Sequence, residues 1–304
     1  MSASARPCPI CLDEMAPTKV FLRDTIVKSR IVGSSFASRK TPEYMSHAMV
    51  RCLGCDVAYV DQPPSETLLA ASYHSADYDS AEEAEDAADA YLRVIQPVLH
   101  RLAGRSDAAL EIGTGTGAFL ARLGDAGFRN LVGIEPSVAA IAAARADRRS
   151  WIREGIFVEA DFASGSFDLI CCFMTLEHVR EPGDLVSSAL RLLKPGGALV
   201  VVTHDFRAPV NRILGRRSPI VDLEHMQLFS ARSAERLLAS RGFIDVVGGS
   251  FRNAYRPSYW LRLAPIPSQV KSFAINQLQA TGIDRVRLAV NVGNRMTSGF
   301  KPPL

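Results

Sequence analysis

No apolar run in this chain approaches the roughly 20 residues that span a bilayer; the longest candidate, Ala198–Val202, is strand length. The opening MSASARPCPICLDE lacks the apolar core of a secretory signal, so the expectation is a cytoplasmic protein with no membrane span. A strong charge of one sign is also missing. Thirty-five basic residues against 32 acidic ones leave a net +3, too little to argue for nucleic acid or membrane by itself. Internal repeats and low-complexity tracts are absent. Cysteine is confined to six residues, four of them in two CxxC pairs, a pattern that in a cytosolic chain favours metal over disulfides.

What is present is ordinary globular composition, and 304 residues suffice for one large domain and a smaller one. Residues 1–62 hold both CxxC pairs and end at the Pro63-Pro64 breaker. Residues 63–105 read as a helical linker, and 106–304 as the main domain, with insertions near 204–225 and 252–287. Ser72–Ala90 is acidic and alanine-rich, and is read as a solvated helix face or a helix lead-in, in preference to a partner site. Leu92, Ile95, Leu99 and Leu102 then recur at helical spacing.

From Ala108 onward, strand and helix alternate. Strands are predicted at Ala108–Ile112, Leu131–Ile134, near Ile156–Glu159, at Phe167–Phe173 and at Ala198–Thr203, with helices between them. Such alternation needs crossover connections, hence an α/β doubly wound, largely parallel sheet with helices on both faces. A helix over Ala231–Ser240 capped by Ser230, a strand over Phe243–Val247 and a last strand within Leu288–Phe300 complete the reading.

The first strong motif is Glu111-Ile-Gly113-Thr-Gly115-Thr-Gly117, between a strand and a helix. Glycine lets the backbone turn sharply and approach a ligand with no Cβ in the way. Glu135, at the end of the next strand, is placed to accept hydrogen bonds from both ribose hydroxyls of a nucleoside cofactor. The third glycine comes one place too early for a dinucleotide fingerprint.

With these pieces the chain resembles the class I S-adenosylmethionine-dependent methyltransferases, in order, over about Ala108 to Val247. ALEIGTGTGAFL is similar to the first family motif, LVGIEPS to the segment carrying the acidic ribose ligand, SGSFDLICCFMTLEHV to the fourth-strand motif, and LRLLKPGGALVVV to the turn into the fifth strand. The resemblance implies a seven-stranded Rossmann-like sheet and S-adenosylmethionine as cofactor. It sets Gly113, Thr114 and Gly115 along the methionine and ribose, Glu135 on the ribose and Phe173 near the methyl donor, with Glu111 and Gly117 completing the set. For the adenine amino group it implies Asp161, with Glu159 as competitor; Asp168 reads as structural.

The sulfonium methyl is already activated, so the main task of such a protein is alignment of the acceptor. For a hydroxyl acceptor a general base helps, and His225 and His178 are the candidates, with His204 and Asp205 a third option. Some quinone-biosynthesis methyltransferases with a similar LEHV motif bind a divalent ion there, using an acidic residue where this chain has Thr175; a catalytic metal is therefore not favoured. Cys8, Cys11, Cys52 and Cys55 supply a tetrahedral thiolate set for a structural zinc in a small N-terminal zinc-ribbon-like domain. Cys171 and Cys172 read as buried apolar residues.

The expected acceptor is a small molecule, a hydroxyl of a sugar or secondary metabolite. RNA methylation and a non-catalytic cofactor-binding module are the alternatives. Tyr255, Tyr259 and Trp260 could wall the acceptor pocket, pack in the core or meet a second copy in a homodimer. Arg207, Arg212, Arg216 and Arg217 could meet phosphates or form a solvated loop.

Overall fold

A computed structural model describes residues 6–11, 16–38 and 41–303. Its centre is a seven-stranded sheet of β1 (Ala108–Ile112), β2 (Asn130–Glu135), β3 (Ile152–Glu154), β4 (Phe167–Phe173), β5 (Leu193–His204), β6 (Ile244–Ser250) and β7 (Asn294–Phe300). The spatial order is β6-β7-β5-β4-β1-β2-β3. Neighbours from β3 to β5 run parallel, and β7 is antiparallel to both β5 and β6. Every residue of β1 and β4 is buried, because helices cover both faces of a parallel sheet. The order reverses between β1 and β4, and the carboxyl edge beside that switch point is where open α/β sheets bind ligands.

Local chemistry explains the elements. Ser230 caps the helix Ala231–Ser240, its hydroxyl accepting from the Ser233 N–H, and Ser137 likewise caps Val138–Ala143. Asp168 is structural: its Oδ2 accepts from the Asp107 and Ala108 N–H groups and from Lys194 Nζ, tying β4 to β1 and to the start of β5. Cys171 and Cys172 are fully buried in the sheet.

Three expectations are corrected. The strand expected near Ile156–Glu159 lies earlier, at Ile152–Glu154; Gly155 (φ +130°) turns the chain, and Glu159–Asp161 is a single 3₁₀ turn. The expected last strand is two, Leu288–Val290 pairing with Asn253–Tyr255 and β7 joining the main sheet. The acidic helix Ala81–Val94 is not a solvated face. Arg256 and Arg287 meet Glu82, Arg262 meets Glu83, and Arg122 and Arg148 meet Glu85, clamping the C-terminal insertion to the core.

The N-terminal strands Thr18–Leu22, Met49–Cys52 and Ala58–Val60 form a second, antiparallel sheet whose fourth strand is Gln227–Leu228. Cys8, Ile10, Cys52, Cys55, Val57 and Tyr59 share one apolar cluster with Phe229 and Leu237. Among the described residues no helix is long and apolar enough to cross a membrane.

Candidate functional site

One cavity of about 560 Å³ opens at the carboxyl edge of the sheet, a size that suits a small-molecule ligand. Its first half is built by the turn after β1. Gly113 sits at φ +78°, and a Cβ there would overlap the Thr175 side chain. Gly115, at φ +57°, would project a Cβ into open space, so its bare backbone forms a cradle wall. Thr114 turns inward and its hydroxyl donates to Glu111 Oε2 at 2.5 Å, holding the loop on β1. Gly117, at φ +69°, precedes the helix Ala118–Asp125; it is buried and does not line the cavity.

Glu135 ends β2 inside the cavity. Its Oε2 accepts from the Gly115 N–H at 2.7 Å and its Oε1 from the Ser137 N–H at 2.8 Å. Burial raises its carboxyl above the usual range, against the pull of those two N–H groups. A carboxylate has about four lone-pair sites, so capacity remains for two ribose hydroxyls. Open cradle, inward carboxylate and apolar neighbours thus fit an adenosyl group. Phe173, at the end of β4, lines the same space and packs on Tyr91 and Phe119, with ring centroids 4.6 and 4.7 Å away. On the adenine side, Asp161 is exposed and outside the cavity wall. Glu159 lines the cavity, but Arg191 and Ser188 hold its carboxylate at 2.5–2.6 Å.

Past Phe173 the cavity meets three histidines. His178 follows β4, His204 ends β5, and His225 returns from the insertion. The His178 and His225 rings stack at 4.8 Å, and the His204 ring lies 6.2 Å from His225. The return is fixed by backbone bonds: the Met226 N–H donates to the Glu177 carbonyl, and Gln227 Nε2 donates to the Leu176 and Val179 carbonyls. Gln227–Leu228 is also the strand that joins the N-terminal sheet, so that sheet helps to hold His225 in place.

Glu177 is fully buried beneath the rings. It accepts from the His204 N–H at 2.8 Å and faces His204 Nδ1 at 3.2 Å. Burial alone would raise its carboxyl, but His204, with help from His225 and His178, holds it at about 2. Burial would in turn lower His204, and Glu177 raises it. Burial and His178 push His225 down to about 3, so that ring is neutral at ordinary pH. His225 Nδ1 lies 2.9 Å from the Ile220 carbonyl, which can only accept; Nδ1 carries the proton and Nε2 is the free base. His178 Nδ1 faces the Glu224 carbonyl at 3.3 Å and its carboxylate at 3.8 Å.

Ligand atoms of Glu177, His178 and His225 lie within 4.8 Å of one another, as a cation site requires. Glu177 Oε1 accepts from the His204 N–H and Oε2 faces His204 Nδ1, while lone pairs on the carboxylate and His225 Nε2 stay open, so the cluster keeps capacity for a cation. The wall here includes Tyr73, Asp222, Glu224, Asn253 and Asn294, none of which sequence reasoning singled out. For Glu224 a signal was available: the two Glu-His pairs, 177–178 and 224–225, both turn to this end of the cavity.

Tyr255, Tyr259 and Trp260 line the cavity and also pack on each other in edge-on and tilted arrangements, ring centroids 4.5–5.6 Å apart. The insertion arginines stay outside: Arg207 pairs with Asp56, and Arg212, Arg216 and Arg217 are exposed. Arg180 is the only lysine or arginine among the described lining residues, whereas Glu66, Asp77, Glu181, Asp184, Asp222 and Glu224 all contribute to the wall.

Elsewhere, the Sγ atoms of Cys8, Cys11, Cys52 and Cys55 lie within 4.8 Å of one another, with Cys8–Cys55 at 3.4 Å and Cys11–Cys52 at 3.7 Å. Zinc–sulfur bonds of about 2.3 Å give a tetrahedron edge of about 3.8 Å, so the spacing suits one ion, and it far exceeds a disulfide bond. The shared Cys8–Cys55 hydrogen bond lowers the Cys8 thiol and raises that of Cys55, so the pair holds one thiolate more readily than two until a cation joins it.

Residues 82–246 match the family model for a methyltransferase domain. Over 166 residues the chain is 33% identical to a probable S-adenosylmethionine-dependent methyltransferase of Mycolicibacterium smegmatis, covering 53% of this chain and 61% of that protein. Over 111 residues it is 32% identical to a ubiquinone biosynthesis O-methyltransferase of Pseudomonas aeruginosa, covering 34% of this chain and 45% of that one. The chain thus spans less than two thirds of these relatives' length. A solved S-adenosylmethionine-dependent methyltransferase from Thermotoga maritima superimposes with a TM-score of 0.49 at 19% identity, covering 73% of this chain and 92% of the other. With more than half of its residues matched by that family model, the chain belongs to the methyltransferase-domain family.

Proposed function

We propose that the protein transfers the methyl group of S-adenosylmethionine to a hydroxyl of an uncharged small molecule, a sugar or a secondary metabolite. One observation carries the reading: a single cavity runs from the Gly115–Glu135 cradle past Phe173 to the histidine cluster. The bound cofactor would supply an activated methyl; this chain's residues hold it and present the acceptor. Gly113, Thr114, Gly115 and Glu111 would line the methionine and ribose side, Glu135 would take the ribose hydroxyls, and Phe173 would exclude water beside the sulfur. The adenine side is bordered by Glu159, whereas Asp161 would act only after a rearrangement of its turn.

At the acceptor end His178 is the favoured proton acceptor, because its Nδ1 is backed by the Glu224 carboxylate. His225, held at about 3, is too weak a base to take a hydroxyl proton unaided, and would instead stack on His178 and align it. The O-methyltransferase relatives support a hydroxyl acceptor. The scarcity of lysine and arginine in the cavity wall argues against RNA and nucleotide-sugar phosphates. Four thiolates from Cys8, Cys11, Cys52 and Cys55 would hold one structural zinc within an N-terminal module of residues 1–62, and cytoplasmic location suits reduced thiols.

His178→Ala is expected to cut turnover about 10²–10⁴-fold, with affinity for S-adenosylhomocysteine unchanged. Single-turnover assays beside calorimetry read both quantities. Retained turnover would remove His178 as base, and parallel loss of cofactor affinity would assign it to the binding half.

A further inference from the structure

We propose that Asn253 and Asn294 are specificity-determining residues that recognise neighbouring hydroxyl groups of a neutral, sugar-like ring; the inference rests on the acceptor reading above and narrows it. Asn294 opens β7 and is fully buried, and among the described residues neither its Oδ1 nor its Nδ2 has a hydrogen-bond partner. Asn253 is 3% exposed and its Oδ1 is likewise unpartnered. Both residues line the cavity. Leaving a buried polar group unpaired costs about 1–3 kcal/mol, and leucine would fill such a position at lower cost. One wholly unpaired carboxamide and a second unpaired amide oxygen on one cavity wall therefore point to a ligand that pairs them.

Their position says which part of the ligand. Asn294 is the cross-strand partner of His204, so the two side chains share a face at the edge where the histidines cluster. Phe251 N–H donates to the Asn294 carbonyl, which carries the chain directly on to Asn253 and then to Tyr255. The two residues thus lie between the histidine cluster and the aromatic wall of Tyr255 and Trp260, rings tilted 53° to each other whose faces offer apolar contact to a ring. A carboxamide both donates and accepts, so hydroxyls can pair both of its ends, whereas an acceptor-only carboxylate or phosphate dianion would leave the two Oδ1 atoms unpaired. The acidic wall, with Arg180 as the one lysine or arginine among the described lining residues, opposes an anionic ring.

The test uses the full chain saturated with S-adenosylhomocysteine, and a panel of neutral hexose methyl glycosides beside the matching uronic-acid glycosides. Saturation-transfer NMR and calorimetry read binding. Neutral glycosides are expected to bind at least tenfold more tightly than the uronates. Asn294→Leu is expected to weaken them by about tenfold or more, with cofactor affinity unchanged and the melting temperature equal or higher. Asn253→Ala weakens them in the same direction. The proposal is overturned if no glycoside binds, if uronates bind as well, or if Asn294→Leu leaves binding unaltered; a lower melting temperature with intact binding would assign the amides to the fold alone. Failure to bind S-adenosylhomocysteine at all sinks the cofactor reading instead, so the two failures are separable.

Discussion

Glu135→Ala is expected to lower affinity for S-adenosylhomocysteine by about 100-fold or more. The substitution removes the proposed ribose acceptor and strands two buried backbone donors, the Gly115 and Ser137 N–H groups. Each stranded donor costs about 1–3 kcal/mol, and every 1.4 kcal/mol or so is tenfold in affinity. Part of the loss falls on the fold, because the glycine loop is pinned through Gly115. Glu135→Gln separates the contributions. Its amide oxygen still serves one N–H, while the other N–H then faces an NH₂ group, so an intermediate loss is expected. Calorimetry and thermal melting together check this; unchanged affinity in Glu135→Ala would move the nucleoside site elsewhere.

The second large effect lies at the four cysteines. The purified chain is expected to carry about one zinc, and Cys8→Ala with Cys11→Ala to lose it. Structural zinc contributes on the order of 10 kcal/mol in small metal-folded domains, more than most domains have to spare. The loss should also reach the acceptor end. The cysteines pack with Phe229 and Leu237, and Val60 donates its N–H to the Met226 carbonyl, next to His225. Turnover is therefore expected to fall further than cofactor affinity. Metal analysis by mass spectrometry, with melting and activity on the same samples, reads all three. Full zinc occupancy in the double variant would refute this ligand set.

The legible part of the molecule was the part governed by local rules. β1 and β4 could be bounded to the residue because buried parallel strands read as near-continuous apolar runs, broken here by Glu111 and Asp168, and the Ser230 cap marks its helix start unaided. The glycine turn and Glu135 were readable because their spacing is set by the strand–turn–helix unit itself. The less legible parts depend on distant partners. β3 is a short edge strand with little apolar pattern, and the apolar residues of Ile156–Glu159 drew the prediction downstream. The acidic helix looked solvated because three of its arginines, Arg256, Arg262 and Arg287, come from far down the chain, Arg262 lying 179 residues after its partner and Arg287 lying 205 after its own. Asn253 and Asn294 carry no motif at all. Only the antiparallel return of β7 beside His204 brings them to the cavity.

The most direct measurement is a calorimetric titration of the intact, zinc-loaded chain with S-adenosylhomocysteine. One molecule bound per chain, with a dissociation constant on the order of micromolar and a raised melting temperature, is the predicted result. No heat and no change in melting up to about 1 mM ligand would contradict the assignment of the cavity.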